Sequence, residues 1–527
     1  MSRDDTPPFR TTFLDRYRSG DLSEFFDLPA GDVEAALRIP RPGDRLALAA
    51  AMREHARRLG APEAVHRSLD RLEHPESRVV VAGQQTGLLL GPAYSLTKAI
   101  TAVRLAQRLD REERPVVPVF WLASQDHDTA EVDHAHLLDG EERLHHLSVS
   151  LPADAPAGRV PLTGTMLRSV ERGLDGLRPA SPFLDEVVAL LEETAESATT
   201  YADWFAALLY RLLGDQGLAL FDPMTERAAT LLRPVLEREL ARPEASVAEV
   251  NAAARRLRRL GVDPQLGRGA DATNLFLEVP GGGVPRRVLL RHEGRHFRLE
   301  GRVLSVEEVR ARLDDDPAAL TPAAGLRPVV QDSVLPTAAG VLGPGELRNF
   351  AQLRGVYAAH GVPMPLVWPR ATATVLEPPV GRILDKYGLD VAGFQADPYG
   401  CLGRVLLERS GHGERFRATG DELERLMDQL FDEVEGIDPT LQGAVDRGRG
   451  YLETTLRRLR GKAAEALARQ DEITRSQFGR LRSHLLPLGQ PAERVLSPFS
   501  HILKFGIAPT LAAYTSIQAE GDFAPRL

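Results

Sequence analysis

The chain holds a single cysteine, Cys401, in 527 residues. That excludes an intramolecular disulfide and any zinc site built from cysteines. It fits a reducing, cytoplasmic compartment. Cys401 follows Pro-Tyr-Gly and precedes Leu-Gly, where it reads as a small semi-buried residue rather than a nucleophile. No apolar run approaches the roughly 18 residues of a membrane span, so no membrane insertion is expected. The opening residues, MSRDDTPPFRTTF, lack the apolar core of a signal peptide. GxGxxG, GxxxxGK[ST], HExxH and GxSxG are all missing. Basic charge is not in excess either. A net charge of −9 argues against a nucleic-acid or anionic-membrane partner, though not against a local basic pocket. Length and an ordinary apolar content of 43% predict a globular chain of two or three domains.

What is present centres on residues 78–139. Val79, Val80 and Val81 form a β-branched run too short for a helix. Gly83, Gly87 and Gly91 punctuate a polar loop, and Pro92 suits the first turn of a helix. Leu96, Ala99, Ile100, Val103 and Ala106 recur at helical spacing. A second apolar run, Val116 to Leu122, ends in Gln125-Asp126-His127-Asp128. Two buried strands around one amphipathic helix predict a parallel βαβ unit.

Ligands bind such sheets beyond the carboxyl ends of the strands. Both polar clusters fall there. Gly83, Gln84, Gln85, Thr86 and Gly87 form one candidate anion site, completed by Tyr94 and Lys98 on one face of the helix. Asp126, His127 and Asp128 form a candidate catalytic group for acid–base work or substrate hydrogen bonding. The histidines and carboxylates between Asp126 and His136 do not predict a metal, because His134 and His136 are spaced i,i+2 and share no helix face.

Further along, residues 217–222 read as another core strand, and 246–260 as a basic helix with four arginines whose bland reading is a solvated face. Short strands are expected over 274–279, 287–291 and 296–299. Val329-Val330 reads as a core strand ending in Gln331-Asp332. Ala338 to Leu342 precedes a second glycine-and-proline helix start, and Leu366 to Trp368 a strand ending at Pro369-Arg370. Gln331, Asp332, Thr337, Glu346 and Arg370 are therefore candidate binding residues of a second half-core.

From Asp421 to Leu485 the chain is charged and helical. Leu452, Leu456, Leu459, Ala463, Ala466, Gln470, Ile473 and Gln477 follow a heptad seam that is apolar early and polar late. An antiparallel hairpin is expected, with Asp421 to Val434 as one arm and Pro439 near the turn. The expected division is 1–149 for N-terminal helices and the first half-core, 150–245 for a helical insertion, and 246–325 for a small β insertion. Then come 326–415 for the second half-core, 416–487 for a coiled-coil arm, and 488–527 for a segment packing on the core.

Four separated blocks carry a family resemblance: GQQTGLLLGPAYSLTKAI (83–100), PVFWLASQDHDTAEVDH (118–134), RPVVQDSVLPTAAGVLGPGEL (327–347) and PMPLVWPRATATVLE (363–377). With this order and spacing, the chain resembles the bacillithiol biosynthesis cysteine-adding enzymes, the BshC family. The resemblance implies an α/β, Rossmann-like parallel-sheet core with connecting insertions and a coiled-coil arm. It also implies a ligase joining L-cysteine to glucosaminyl-malate through an amide bond, the last step of making a low-molecular-weight thiol. Amide formation from a free carboxylate is uphill, so ATP or another nucleotide is the expected activator, by analogy of fold. A homodimer through the arm is the expected assembly. The family commonly has an Asn-Pro pair where this chain has Ser497-Pro498. Two rival classes are a metal-dependent hydrolase or deacetylase centred on Asp126, His127 and Asp128, and a non-catalytic assembly factor using the arm.

Overall fold

The computed structural model describes residues 12–269, 271–294, 296–438 and 441–527. Pro439, expected near the arm's turn, lies outside them. Two compact units are present. One comprises 1–373 with 496–525, the other 374–495 with 526–527.

The first unit is built on five parallel strands. In chain order the strands of this unit are β1 (Arg78–Gln84), β2 (Val116–Leu122), β3 (His134–Leu138), β4 (Leu144–Ser148) and β5 (Ala219–Phe221). Next come β6 (Ala272–Val279), β7 (Arg286–Glu293), β8 (His296–Leu299), β9 (Arg302–Leu304) and β10 (Leu320–Pro322). The last are β11 (Thr337–Leu342), β12 (Leu366–Pro369), β13 (Thr372–Ala373) and β14 (Asp522–Phe523). The core order is β12-β11-β1-β2-β5. Val79, Val80 and Val81 are buried, as a strand covered on both faces requires. Gly83 pairs with Trp121, and a Cβ there would lie 2.9 Å from the Trp121 carbonyl, so the close approach of β1 to β2 requires glycine. Pro118 lies in the interior strand β2 but just before the span, Val119–Trp121, that pairs with β5.

The insertion after β5 is a helix, Pro243–Arg259, and an antiparallel sheet ordered β10-β6-β7-β8-β9. β3 and β4 form a separate two-stranded ladder. The C-terminal segment returns to this unit. Ser497 N–H donates to the His136 carbonyl, and Ser497 Oγ donates to the Leu89 carbonyl at 2.7 Å. Serine thus holds the loop after β1, where Leu89 and Leu90 adopt positive φ.

Three expectations are corrected. Val329 and Val330 lie on the helix Arg327–Val334, not on a strand. The core strand is β11, which begins at Thr337, opposite Val79 at the start of β1. Gln331, Asp332 and Thr337 therefore lie away from the carboxyl edge. The second half-core also ends earlier than 415. Val380, Ile383, Leu384, Phe394 and Val405 bury their side chains against Phe478, Leu481 and Leu485, which puts 374–415 in the second unit.

The heptad seam is broken as well. Helix Gln442–Ala468 stops, and Asp471 caps a new helix, Glu472–Leu485, by accepting from Thr474 N–H, which leaves Gln470 in the break. Helices Gly413–Glu435 and Gln442–Ala468 pack as a pair. Leu452 and Leu459 of the seam stay 39% and 54% exposed. Among the described residues no helix is long and apolar enough to cross a membrane.

Leu481 is fully buried in the second unit. Leu481→Ala should lower its stability by about 2–5 kcal/mol through lost transfer energy and a cavity. Urea denaturation followed by far-UV circular dichroism checks this, and an unchanged midpoint would contradict it.

Candidate functional site

The carboxyl ends of β1, β2, β11 and β12 share one edge because every pairing among them is parallel. At the exit of β1, Gln84 and Gln85 send their side chains to two different clusters.

The first cluster surrounds Lys98. Its side chain is buried, yet the ammonium donates to the Gly83 carbonyl at 3.0 Å and to Gln84 Oε1 at 2.9 Å, and pairs with Glu346 at 2.5 Å. Burial pulls the Lys98 pKa down, Glu346 pushes it up, and the neighbouring Arg370 adds to the depression. Gln84 Nε2 donates to the Tyr94 hydroxyl at 3.3 Å, and the Arg370 guanidinium stands 5.7 Å from the Tyr94 ring centre. Gly343 stands among these groups: a Cβ built there would lie 3.3, 3.7 and 4.0 Å from Glu346 Oε2, Arg370 Nε and Lys98 Cε. Glu346 also accepts from Gly343 N–H at 2.8 Å, so the ion pair and the cap of helix Pro344–Phe350 are one arrangement.

The second cluster surrounds Asp126. Its carboxylate accepts from Gln85 Nε2 at 3.2 Å, Arg327 at 3.1 Å and its neighbour His127 N–H at 3.0 Å, with Arg287 at 3.7 Å. Burial would raise its pKa, but Arg327 and Arg287 prevail and hold it well below the usual carboxylate range. Asp126 is thus an anchor for cations and a poor base at neutral pH. Arg287 lies 3.1 Å from His127 Nδ1. A guanidinium only donates, so Nδ1 accepts and the proton sits on Nε2. Burial and Arg287 both push the His127 pKa down, leaving the ring neutral with an N–H to offer. The guanidinium of Arg287 also stacks over Phe276 at 4.1 Å and donates to Thr321 at 2.6 Å. Asp128 is exposed ahead of the short helix Thr129–Val132.

Other expected residues fall elsewhere. Asp332 is buried, bonded to the Tyr357 hydroxyl and to Gln331 Nε2, and burial raises its pKa. Thr337 is buried beside Leu335. Thr86 is fully buried. The helix start after Pro92 is less open than expected. Ala93 N–H donates to Leu496 and Ser95 N–H to Pro92. Arg287, Arg327 and Phe276 were not singled out from the sequence. Arg287 sits in the β insertion, and no spacing links it to residue 126.

Fold and site together define the class: a Rossmann-like domain whose sheet edge gathers cations, followed by a helical-hairpin domain. Family comparison agrees. Residues 6–371 match the family described as "Bacillithiol biosynthesis BshC, N-terminal Rossmann-like domain", and 373–510 match "Bacillithiol biosynthesis BshC, C-terminal coiled-coil domain". The chain belongs to the BshC family of bacillithiol biosynthesis. A Thermus thermophilus relative named "Putative cysteine ligase BshC" is 41% identical over 91% of this chain and 94% of its own length. Relatives of the same name in Salinibacter ruber and Solibacter usitatus are 35% and 32% identical, covering 91% and 99% of this chain and 88% and 97% of their own lengths.

The His127 shift has a sign that can be tested. The unfolded ring takes a proton near about 6.5, the folded ring only at lower pH. Its contribution to stability is therefore complete above about pH 6.5 and falls away as pH drops toward the folded value. His127→Gln should show a smaller loss of melting temperature between neutral and mildly acidic pH than wild type. Equal losses would contradict the assignment.

Proposed function

We propose that this chain joins the carboxyl group of L-cysteine to the amine of glucosaminyl-malate, forming the amide bond of bacillithiol. The observation that supports this reading is the repeated charge pattern at the sheet edge. Lys98 and Arg370 gather around Glu346, and Arg287 and Arg327 around Asp126. Each cluster is suited to an anion. Glucosaminyl-malate brings two carboxylates, and cysteine brings the carboxylate that must react. In this reading Arg370 takes the malate carboxylates, with Tyr94 and Gln84 lining the site and the buried Lys98 holding Gln84 and Glu346 in place. The Asp126 cluster takes the cysteine carboxylate, with the His127 Nε2–H as a further donor.

Attack of the cysteine carboxylate on ATP or another nucleotide would form an acyl adenylate with release of pyrophosphate, or an acyl phosphate with release of the nucleoside diphosphate, and so supply the leaving group. The amine then attacks the acyl carbon, AMP or phosphate departs, and the nitrogen loses a proton. The reading places the chain in the cytoplasm, in keeping with its single cysteine. It also takes the arm as a homodimer contact, supported by Leu426, Leu430, Leu452 and Leu459, all exposed on the helix pair.

Arg370→Ala should weaken glucosaminyl-malate binding about 10- to 100-fold while leaving cysteine binding nearly unchanged. Isothermal titration with each substrate separately checks this, and equal affinity for the sugar acid in variant and wild type would sink the assignment. Amide product detected by mass spectrometry only when a nucleotide is present would support the activation step. Replacing Leu452, Leu456 and Leu459 with glutamine should convert dimers to monomers in light scattering. A wild-type monomer at micromolar concentration would rule the dimer out.

A further inference from the structure

Three histidines outside both clusters stand together on the β3–β4 ladder. On a helix, side chains at i and i+2 diverge. On a strand they share a face. His134 and His136 lie on β3, and His146 on β4 is the direct cross-strand partner of His136. His145, on the opposite face, is tied to Asp139 at 2.8 Å and takes no part.

The three rings form a nearly equilateral triangle, with centroids 5.1, 4.9 and 5.0 Å apart. His146 Nδ1 is 3.3 Å from His136 Nε2, and one ligand nitrogen from each of the three lies within 4.8 Å of the others. Imidazoles on a tetrahedral ion with bonds of about 2.0–2.1 Å hold their nitrogens about 3.3 Å apart and their ring centres about 5 Å apart. The ring centres stand at nearly that spacing, and the His136–His146 nitrogen pair at that separation.

His134 Nδ1 is engaged by Asp133 Oδ1 at 2.9 Å, leaving Nε2 for the common point. A carboxylate behind a ligating imidazole orients the ring and raises its basicity, as at zinc sites.

We propose that His134, His136 and His146 form a binding site for one divalent transition cation of the imidazole-preferring class, zinc or its cobalt surrogate, with Asp133 as its positioning residue. Three protein ligands leave a fourth position for water or an exogenous ligand. The site does not depend on the ligase reading, since it shares no residue with either cation cluster.

The test uses the full, untagged chain stripped of metal by chelation. Cobalt titration should give the visible bands of a tetrahedral ion, saturating at one per chain and displaced by zinc. His136→Gln and His146→Gln should each abolish those bands or weaken binding by more than about 10-fold, and Asp133→Asn should weaken it about 10- to 100-fold. Circular dichroism confirms that the variants fold. Absence of stoichiometric cobalt, or binding that persists in the His136→Gln, His146→Gln double variant, would overturn the proposal. The triangle would then be a hydrogen-bonded histidine cluster only.

Discussion

The buried ammonium of Lys98 is the contact on which the candidate site depends. It sits on the helix that follows β1, touches the exit of β1 through Gly83 and Gln84, and pairs with Glu346 on the helix that follows β11. Two halves of the core, separated by more than two hundred residues of insertion, meet at one charge. Removing an ammonium from water is expensive unless its donors are met, and here a carbonyl, an amide and a carboxylate meet them. Glu346 in turn caps its own helix through Gly343, so the charge, the cap and the strand end have to form together.

The second cluster adjoins the first at the exit of β1. Gln84, the last residue of the strand, bonds Lys98 and Tyr94, while Gln85, the next residue in the chain, bonds Asp126. One strand exit thus serves two sites. In each, a buried or partly buried charge is paired with an opposite one beside further cationic groups, in a low-dielectric setting where attraction to an incoming anion is less screened than at an open surface. The same electrostatics remove Asp126 from consideration as a general base and fix the His127 tautomer through Arg287.

The histidine triangle has a different origin. It comes from the register of one hairpin. With His136 opposite His146, the i,i+2 spacing of His134 and His136 completes the group. A one-residue slip would send His146 to the other face and dissolve it.

Much of the fold was legible from local signals. The valine run, the glycine loop and the helical spacing of Leu96 to Ala106 identified β1 and its helix, because a strand covered on both faces must be continuously apolar. Asp126, His127, Lys98 and Arg370 were legible as strand-end or helix-face residues for the same reason. Two-residue apolar runs were not decisive. Val329-Val330 fits a strand or a buried helix equally, and only its packing in the first unit made it helical, which moved Asp332 and Thr337 off the edge. Nor could periodicity show that the seam breaks at Gln470, since a cap on Asp471 competes with helix continuation. What the sequence by itself determined is where β1, β2 and β12 end and which polar groups stand there. What only tertiary structure decided is which of those ends meet. Arg287 reaches His127 across 160 positions of chain, a distance at which no local propensity carries information.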